Sequence, residues 1–249
     1  TVWLARCAGA ATRVRESVCG IDASRAASLA SRTSPRGVRS ESSRSLDTRS
    51  RATEPMDLVP WEARAFAGSL FVYHVSEYAI ARAYNRATLS RDSFLFSAPY
   101  CVAMSLAMLE YALELALAPE LKRAEWTRAI KIAGLAFAVL GDGLRKAAQV
   151  TAGPSFTHLI QTKRRREHAL ITRGVYRHIR HPGYLGWLAW CVGTQALLCN
   201  PLSFVAFGVA ATRFFKARVP FEEARLRAMF PGEYAAYAAR TRTWIPGIP

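Results

Sequence analysis

Residues 180–215 read RHPGYLGWLAWCVGTQALLCNPLSFVAFGVAATRFF, and this stretch decides the fold. No charged residue occurs from Pro182 to Thr212, a run of 31 positions. One helix that crosses the hydrocarbon core of a membrane needs about 20 residues, and two full crossings need about 40. Asn200-Pro201 lies in the middle of the run, and proline disfavours helix both at its own position and in the residue before it. The stretch therefore predicts a helical hairpin, with helices near 184–199 and 202–215.

Basic residues flank this hairpin on both sides: Arg173, Arg177 and Arg180 before it, and Arg213, Lys216 and Arg218 after it. A hairpin returns to the side from which it started, so both flanks share one face of the membrane. Cytoplasmic loops are enriched in Lys and Arg, which predicts that this face is cytoplasmic.

Three further apolar segments, near 64–84, 94–118 and 127–148, precede the hairpin. Together they predict an all-α polytopic membrane protein of about five transmembrane helices, with its N-terminus on the side opposite the cytoplasm. Glu110, Glu114 and Asp142 lie within these segments, where ionisable groups are costly and often functional. We favour a structural role for them, because Asp142 stands three and four residues before Arg145 and Lys146, a favourable helical spacing.

Residues 1–55 differ from the rest of the chain. They hold ten Arg and ten Ser with little apolar periodicity, which predicts a disordered or leader segment ahead of a membrane-embedded domain at 56–249. At the other end, Pro220 predicts the start of a short amphipathic helix, with Glu222 and Glu223 near its N-terminus and a break at Pro231-Gly232.

The composition narrows the class of function. The net charge is +16 and 51% of residues are hydrophobic, but the apolar residues form long runs with arginines between them, which favours a lipid surface over nucleic acid. The five cysteines form no C-x-x-C pair and the histidines no H-E-x-x-H, so we expect neither a disulfide framework nor a metal site. No G-x-G-x-x-G after a strand, P-loop or G-x-S-x-G occurs, so any cofactor must bind within a helical membrane frame.

The polar residues that could form a pocket lie on both sides of the hairpin, which brings its two cytoplasmic ends together. They are His158, Gln161, His168, Tyr176, Arg180, His181, Pro182, Tyr184, Arg218 and Glu222. A basic residue beside a span is more often an interfacial anchor, and this simpler explanation stays open for each one taken alone.

The chain resembles the isoprenylcysteine carboxyl methyltransferases, and most closely their short plant-type members. The segments that carry the likeness are SFTHLIQ at 155–161, HALITRGVY at 168–176, RHPGYLGW at 180–187, GTQALLCNP at 193–201 and RFFKARVPFEE at 213–223, with HVSEY at 74–78 and GLRKAA at 143–148 upstream. RHPxYxG alone also occurs in related membrane methyltransferases and sterol reductases. The last two of the downstream segments are more specific.

The resemblance implies an endoplasmic reticulum membrane enzyme that uses S-adenosylmethionine. The acceptor it implies is the C-terminal carboxylate of prenylated cysteine in small GTPases and other CaaX proteins, which becomes a methyl ester. It places the cofactor at Gln161, His168, Ala169, Leu170, Ile171, Tyr176, His181, Pro182, Gly183, Tyr184 and Glu222, and the substrate at Arg218, as the catalytic residue. An arginine can bind a carboxylate through two parallel hydrogen bonds, and tyrosine rings offer aromatic surface to a sulfonium cation.

Two departures from the family pattern are modest. Gly183 stands where Ser is frequent, and Pro220-Phe221 replaces an acidic run of some members. Three alternatives remain open: a lipid-headgroup methyltransferase of the same membrane fold, a nicotinamide-dependent sterol reductase and a non-catalytic scaffold. A headgroup amine carries no negative charge, so the first of these has no need of Arg218.

Overall fold

The computed structural model describes residues 59–86, 89, 95–158, 160 and 169–249. Within these ranges the chain is helical, and the one β contact is an isolated bridge between Ile179 and Arg242. The helices are α1 (Trp61–Tyr84), α2 (Ala98–Leu117), α3 (Pro119–Arg123), α4 (Glu125–Ala152), α5 (Pro182–Leu198), α6 (Pro201–Met229) and α7 (Glu233–Arg240). The all-α prediction is confirmed. Residues 1–55 lie outside the described residues, so the division at residue 56 stays a prediction.

The predicted hairpin is present as α5 and α6, joined by a tight turn. Cys199 ends α5 in the left-handed conformation, with φ of 51°, and Pro201 opens α6. The side chain of Lys122, in α3, donates to the carbonyl oxygens of Leu198 and Cys199 at 2.6 and 2.8 Å. A cation at the C-terminus of a helix meets carbonyls that lack intrahelical partners, so Lys122 caps α5.

The other half of the turn is capped from α2. Both carboxylate oxygens of Glu110 accept backbone hydrogen bonds from the first turn of α6, from Leu202 at 2.7 Å and Ser203 at 2.8 Å. Glu114, one turn further along α2, pairs with Lys122 at 2.6 Å. The structural role predicted for these two acids is therefore confirmed.

Helices α4 and α5 pack with their backbones in contact, because glycines face each other across the interface. A Cβ atom at Gly141 would lie 2.5 Å from the backbone nitrogen of Trp190, and one at Gly186 would lie 2.5 Å from the carbonyl oxygen of Gly141. Gly193 meets the backbone nitrogen of Ala138 in the same way, at 2.6 Å. Close approach over small residues is a usual way for helices to associate in lipid.

Helix α6 corrects the predicted C-terminal boundaries. It does not stop near 215, and Pro220 lies inside it rather than at the start of a new helix. A proline in a helix interior costs about 3 kcal/mol through a lost hydrogen bond and a steric clash. Here Pro220 is on the exposed side, while a buried stripe at Ala211, Phe215, Val219 and Glu223 runs past it. Because that stripe keeps the i, i+4 spacing, packing carries the helix through to Met229, before the predicted break at Pro231-Gly232.

The outer surface of the helices is apolar. Leu106, Leu109 and Leu113 of α2 and Val139 and Leu140 of α4 are each about half exposed or more, as expected for side chains that face lipid. In the described ranges one helix, Ala98–Leu117, is both long and apolar enough to cross a membrane by length and composition alone. Helices α1 and α4 carry charged side chains, and α5 is 17 residues long, so the count of five spans stays a prediction.

Candidate functional site

The site begins where α5 begins. Pro182 occupies the first helical position, for which its fixed φ is suited, and His181 immediately precedes it. The His181 ring is buried and stacks on Tyr184, with ring centroids 5.4 Å apart and planes 6° from parallel. Tyr184 also stacks on Phe215 of α6, with ring centroids 4.8 Å apart. The first turn of α5 therefore packs directly against α6.

Arg218, Tyr184 and Glu222 form one hydrogen-bonded chain. Arg218 and Glu222 are one turn apart on α6, and Tyr184 reaches them from α5. The Arg218 Nε donates to the Tyr184 hydroxyl at 2.7 Å, and that hydroxyl donates to the Glu222 carboxylate. The Arg218 Nη2 donates to the backbone carbonyl of His158 at 2.8 Å. The hairpin thus brings together residues from three segments of the chain, as the sequence predicts.

Tyr176, another predicted cofactor residue, is held in place by α7. It lies in a 3-10 turn, Gly174–Arg177, whose position is fixed by a bond from the Tyr237 hydroxyl to the Tyr176 carbonyl at 2.7 Å. Burial, and then the negative charge of Glu222, raise the pKa of the Tyr176 phenol well above its usual value. The phenol therefore stays protonated at neutral pH, and its hydroxyl remains a hydrogen-bond donor.

Residues 169–171 are held by contacts with Ser155 and with the C-terminal end of the chain. The backbone nitrogen of Ala169 donates to the Ser155 hydroxyl at 3.3 Å, and Leu170 packs against a cluster formed by Phe230, Tyr234 and Tyr237. Ile171 is half-buried. Two other predicted cofactor residues, Gln161 and His168, lie outside the described residues, so their roles stay predictions.

Glu223 is a charged centre that the sequence analysis did not select as a site residue. Its Oε1 lies 2.9 Å from the Arg180 Nε and 3.2 Å from the His181 Nε2, and its Oε2 accepts a bond from Arg227 at 3.2 Å. Burial alone would raise the pKa of this carboxyl, but the His181 hydrogen bond and the Arg180 charge bring it below its usual value. The signal in the sequence was the adjacent pair Glu222-Glu223, whose members point to different partners once both lie within one helix.

Glu77 and Arg145 form a buried ion pair that the sequence does not predict. The guanidinium of Arg145 holds the Glu77 carboxylate with two bonds, at 2.7 and 2.9 Å. Asp142 pairs with Lys146, as its spacing predicts, at 3.1 Å, but not with Arg145. The predicted partnership of Asp142 is therefore half correct, because Arg145 turns inward to α1.

The Gly183 position has a tight neighbour. A Cβ atom there would stand 3.3 Å from the Phe156 ring. Among the described residues, no group of three His, Cys, Asp or Glu side chains is placed to hold a metal ion.

Comparisons with known proteins agree on one family. A sequence model described as the isoprenylcysteine carboxyl methyltransferase (ICMT) family matches residues 134–228. A probable protein-S-isoprenylcysteine O-methyltransferase of Oryza sativa subsp. indica is 47% identical over 188 residues, which cover 75% of this chain and 97% of the relative. Protein-S-isoprenylcysteine O-methyltransferase B of Arabidopsis thaliana is 44% identical, over 72% of this chain and 90% of the relative.

The similarity extends to a solved structure. It is described as the eukaryotic intramembrane Ras methyltransferase ICMT without a monobody. The TM-score is 0.71 and the sequence identity 35%, over 77% of this chain and 69% of the other. The helical arrangement is therefore shared with an intramembrane protein.

Proposed function

The chain belongs to the isoprenylcysteine carboxyl methyltransferase family and methylates prenylated cysteine, and from this premise we propose how its own residues do so. We propose that the methyl donor is S-adenosylmethionine and that the acceptor is the C-terminal carboxylate. The observation that carries the proposal is the Arg218–Tyr184–Glu222 chain at the end of the hairpin.

The side chains at the site suit a sulfonium cofactor. Glu222 offers a carboxylate to the hydroxyls or the amine of the cofactor, and Tyr176 and Tyr184 offer aromatic rings to its positive sulfur. Among the described residues, the Tyr184 hydroxyl is the one hydrogen-bond partner of Glu222, and it occupies Oε2. Within the described part of the chain Oε1 has no hydrogen-bond partner, and we propose that it accepts a bond from the ligand. Gln161, His168–Ile171 and His181–Tyr184 complete the proposed cofactor site.

Arg218 suits the acceptor carboxylate. Its Nε and Nη2 are held by Tyr184 and His158, so the guanidinium is fixed in orientation. It also lies over the Phe214 ring, at 5.6 Å from the ring centroid, which restricts it further. Its Nη1 makes no hydrogen bond within the described part of the chain. An oriented guanidinium with a donor to spare is suited to bind an anion in one defined position.

The reaction needs no general base. The acceptor carboxyl is already ionised near pH 7, so no side chain has to remove a proton. S-Adenosylmethionine, when held by Glu222, Tyr176 and Tyr184, would supply an electrophilic methyl group to the carboxylate oxygen, and its sulfur would leave with the bonding electron pair as a neutral thioether. The protein contributes alignment through Arg218 and exclusion of water from the carboxylate by the surrounding rings.

The apolar exterior suits a prenylated acceptor. We infer that a farnesyl or geranylgeranyl chain approaches through the bilayer while its cysteine reaches the polar site, which faces the cytoplasm. The proposed acceptors are small GTPases and other processed CaaX proteins, and the proposed location is the endoplasmic reticulum membrane. Methyl transfer to a lipid headgroup is not favoured, because the relatives are named for the prenylcysteine activity and a headgroup amine gives Arg218 no anion to bind.

The test compares site variants in membranes that contain the full chain. Labelled S-adenosylmethionine and N-acetyl-S-farnesylcysteine are supplied, and base-labile methyl ester is counted. Arg218→Ala and Glu222→Ala should each lower ester formation at least about 100-fold, since each loses a charged contact of roughly 3 kcal/mol. Arg225→Ala is the matched control, because Arg225 is an exposed arginine of the same helix that lies over the Phe221 ring, 5.1 Å from its centroid. Equal rates in Arg218→Ala and Arg225→Ala would refute the proposed role.

A further inference from the structure

A group of charged and polar side chains from α1 and α4 closes around Glu77 behind the site. Glu77 has no exposed surface. Arg145 binds it through Nε and Nη2 at 2.7 and 2.9 Å, Lys146 through Nζ at 2.5 Å and Gln149 through Nε2 at 2.7 Å. These four residues are the Glu77 cluster. The donors in this cluster satisfy the Glu77 carboxylate by themselves, so the bonds within the cluster do not by themselves indicate a function.

Arg145 also reaches beyond the cluster. Its remaining nitrogen, Nη1, donates to the backbone carbonyl of Gly183 at 3.1 Å. Gly183 lies in the first turn of α5 and directly precedes Tyr184, which receives the Arg218 hydrogen bond. One planar guanidinium therefore connects a fully buried carboxylate to the backbone that carries the site.

The cluster also approaches the site from its other side. The His158 Nε2 lies 3.8 Å from the Glu77 Oε2, and the His158 carbonyl accepts the second bond of Arg218. Both groups that fix the Arg218 guanidinium, Tyr184 and His158, are thus neighbours of the Glu77 cluster.

Stability alone is a weak reason for this arrangement. A buried ion pair costs desolvation that its attraction does not always offset, and apolar replacement of a whole pair is often neutral or stabilising. The α4–α5 interface is already closed by the backbone contacts of Gly141 and Gly186. The bond to Gly183 instead fixes one point of the backbone, and that point is next to Tyr184.

We propose that Arg145 is a positioning residue for methyl transfer: held by Glu77, it fixes the first turn of α5 so that Tyr184 keeps Arg218 aligned with the acceptor carboxylate. This inference rests on the proposed function of Arg218. Because Arg145 is buried and bonds to Glu77 and to the Gly183 backbone, its removal should affect alignment in the transition state more than binding of the acceptor.

The test uses three variants of the full chain, assayed in membranes with labelled S-adenosylmethionine and N-acetyl-S-farnesylcysteine. Arg145→Lys keeps the charge beside Glu77 but loses the forked geometry that also reaches Gly183. Lys146→Met is the matched control, because Lys146 binds the same carboxylate but makes no bond to α5. Glu77→Gln/Arg145→Met neutralises the pair together and leaves an amide oxygen for Gln149. For each variant kcat, KM and the thermal midpoint of unfolding in detergent are measured.

We expect Arg145→Lys to lower kcat by ~10–100-fold while KM for the acceptor changes less than about threefold. Lys146→Met should keep kcat within about threefold of the unmodified chain. The double variant should have a thermal midpoint close to that of the unmodified chain, but its kcat should stay as low as that of Arg145→Lys. Three results would show that Arg145 serves stability alone and would overturn the proposal. They are a native kcat as well as a native midpoint in the double variant, a loss of kcat in Lys146→Met equal to that in Arg145→Lys, and failure of both Arg145 variants to fold. No ester from the unmodified chain would overturn the proposed function, and this inference with it.

Discussion

At the scale of single residues, the site depends on Tyr184 as the link between two opposite charges. Its hydroxyl accepts from Arg218 and donates to Glu222, so neither charged group has to pair with the other directly. Without that hydroxyl, the guanidinium and the carboxylate could pair with each other directly, and Arg218 would then be occupied and could not bind the acceptor carboxylate that we propose for it.

Tyr184→Phe tests this link. A hydrogen bond to a charged group contributes about 1.5–3 kcal/mol, so we expect kcat/KM to fall roughly 10–100-fold in the ester assay. Tyr84→Phe is the matched control, since Tyr84 is exposed at the end of α1. An unchanged kcat/KM in Tyr184→Phe would show that the hydroxyl does not orient Arg218.

The second residue-scale prediction concerns Glu223 and pH. Its folded-state pKa lies below the usual value of about 4.5, so its stabilising contribution is present above pH 4.5 and is lost as pH falls through the folded pKa. Arg180, His181 and Arg227 surround it. Glu223→Gln should lower stability at pH 7 by about 1–3 kcal/mol, because the largely buried side chain of Arg180 keeps a weaker partner.

The measurement is thermal unfolding of purified protein at pH 7 and at pH 4 or below. The difference in midpoint between the native chain and Glu223→Gln should shrink on acidification, since Glu223 becomes neutral in both states. A difference that stays constant with pH would contradict the assigned ion-pair role.

At the scale of elements, the contact between α4 and α5 is the most demanding feature of the fold. Glycine backbones touch there, so any side chain must separate the helices. The Glu77 cluster and the first turn of α5 both depend on that separation being small.

Gly141→Leu should therefore abolish ester formation and greatly reduce the yield of folded protein, because its Cβ would stand 2.5 Å from the backbone of Trp190. Gly143→Leu is the matched control on the same helix, since a Cβ there meets nothing within 4 Å. Folded yield is measured by size-exclusion chromatography in detergent. Equal yields for the two variants would contradict the observed packing.

The turn between α5 and α6 gives the second element-scale prediction. Lys122 is almost fully buried and holds Glu114 together with two carbonyls at the end of α5. Lys122→Met leaves that acid and those carbonyls unpaired, which should cost about 3–5 kcal/mol in stability. Arg123→Met, at an exposed neighbouring position, should leave the thermal midpoint nearly unchanged. An equal shift of the thermal midpoint in both variants would contradict the capping role assigned to Lys122.

At the scale of the whole molecule, the sequence predicts those features of the fold that are encoded by residues close together in the chain. The charge-free run and Asn200-Pro201 are contiguous, so the hairpin and its turn were predictable, and the hairpin implied that Tyr184 and Arg218 meet. The helix start predicted at Pro220 was wrong, because the local preference of proline was outweighed by the packing of a buried stripe of α6, which is visible only in the folded structure. The partner of Arg145 is 68 positions away on α1, and no spacing along α4 indicates it.

The central claim is that the chain esterifies a carboxylate on a prenylated cysteine. Its most direct test supplies labelled S-adenosylmethionine to membranes containing the full chain with one of three acceptors: N-acetyl-S-farnesylcysteine, its C-terminal carboxamide, or phosphatidylethanolamine vesicles. We predict base-labile label with the first acceptor and none above background with the others, because only the first presents both a prenyl chain and an anion for Arg218. Base-stable label in the lipid amine, or equal label with the carboxamide, would contradict the account.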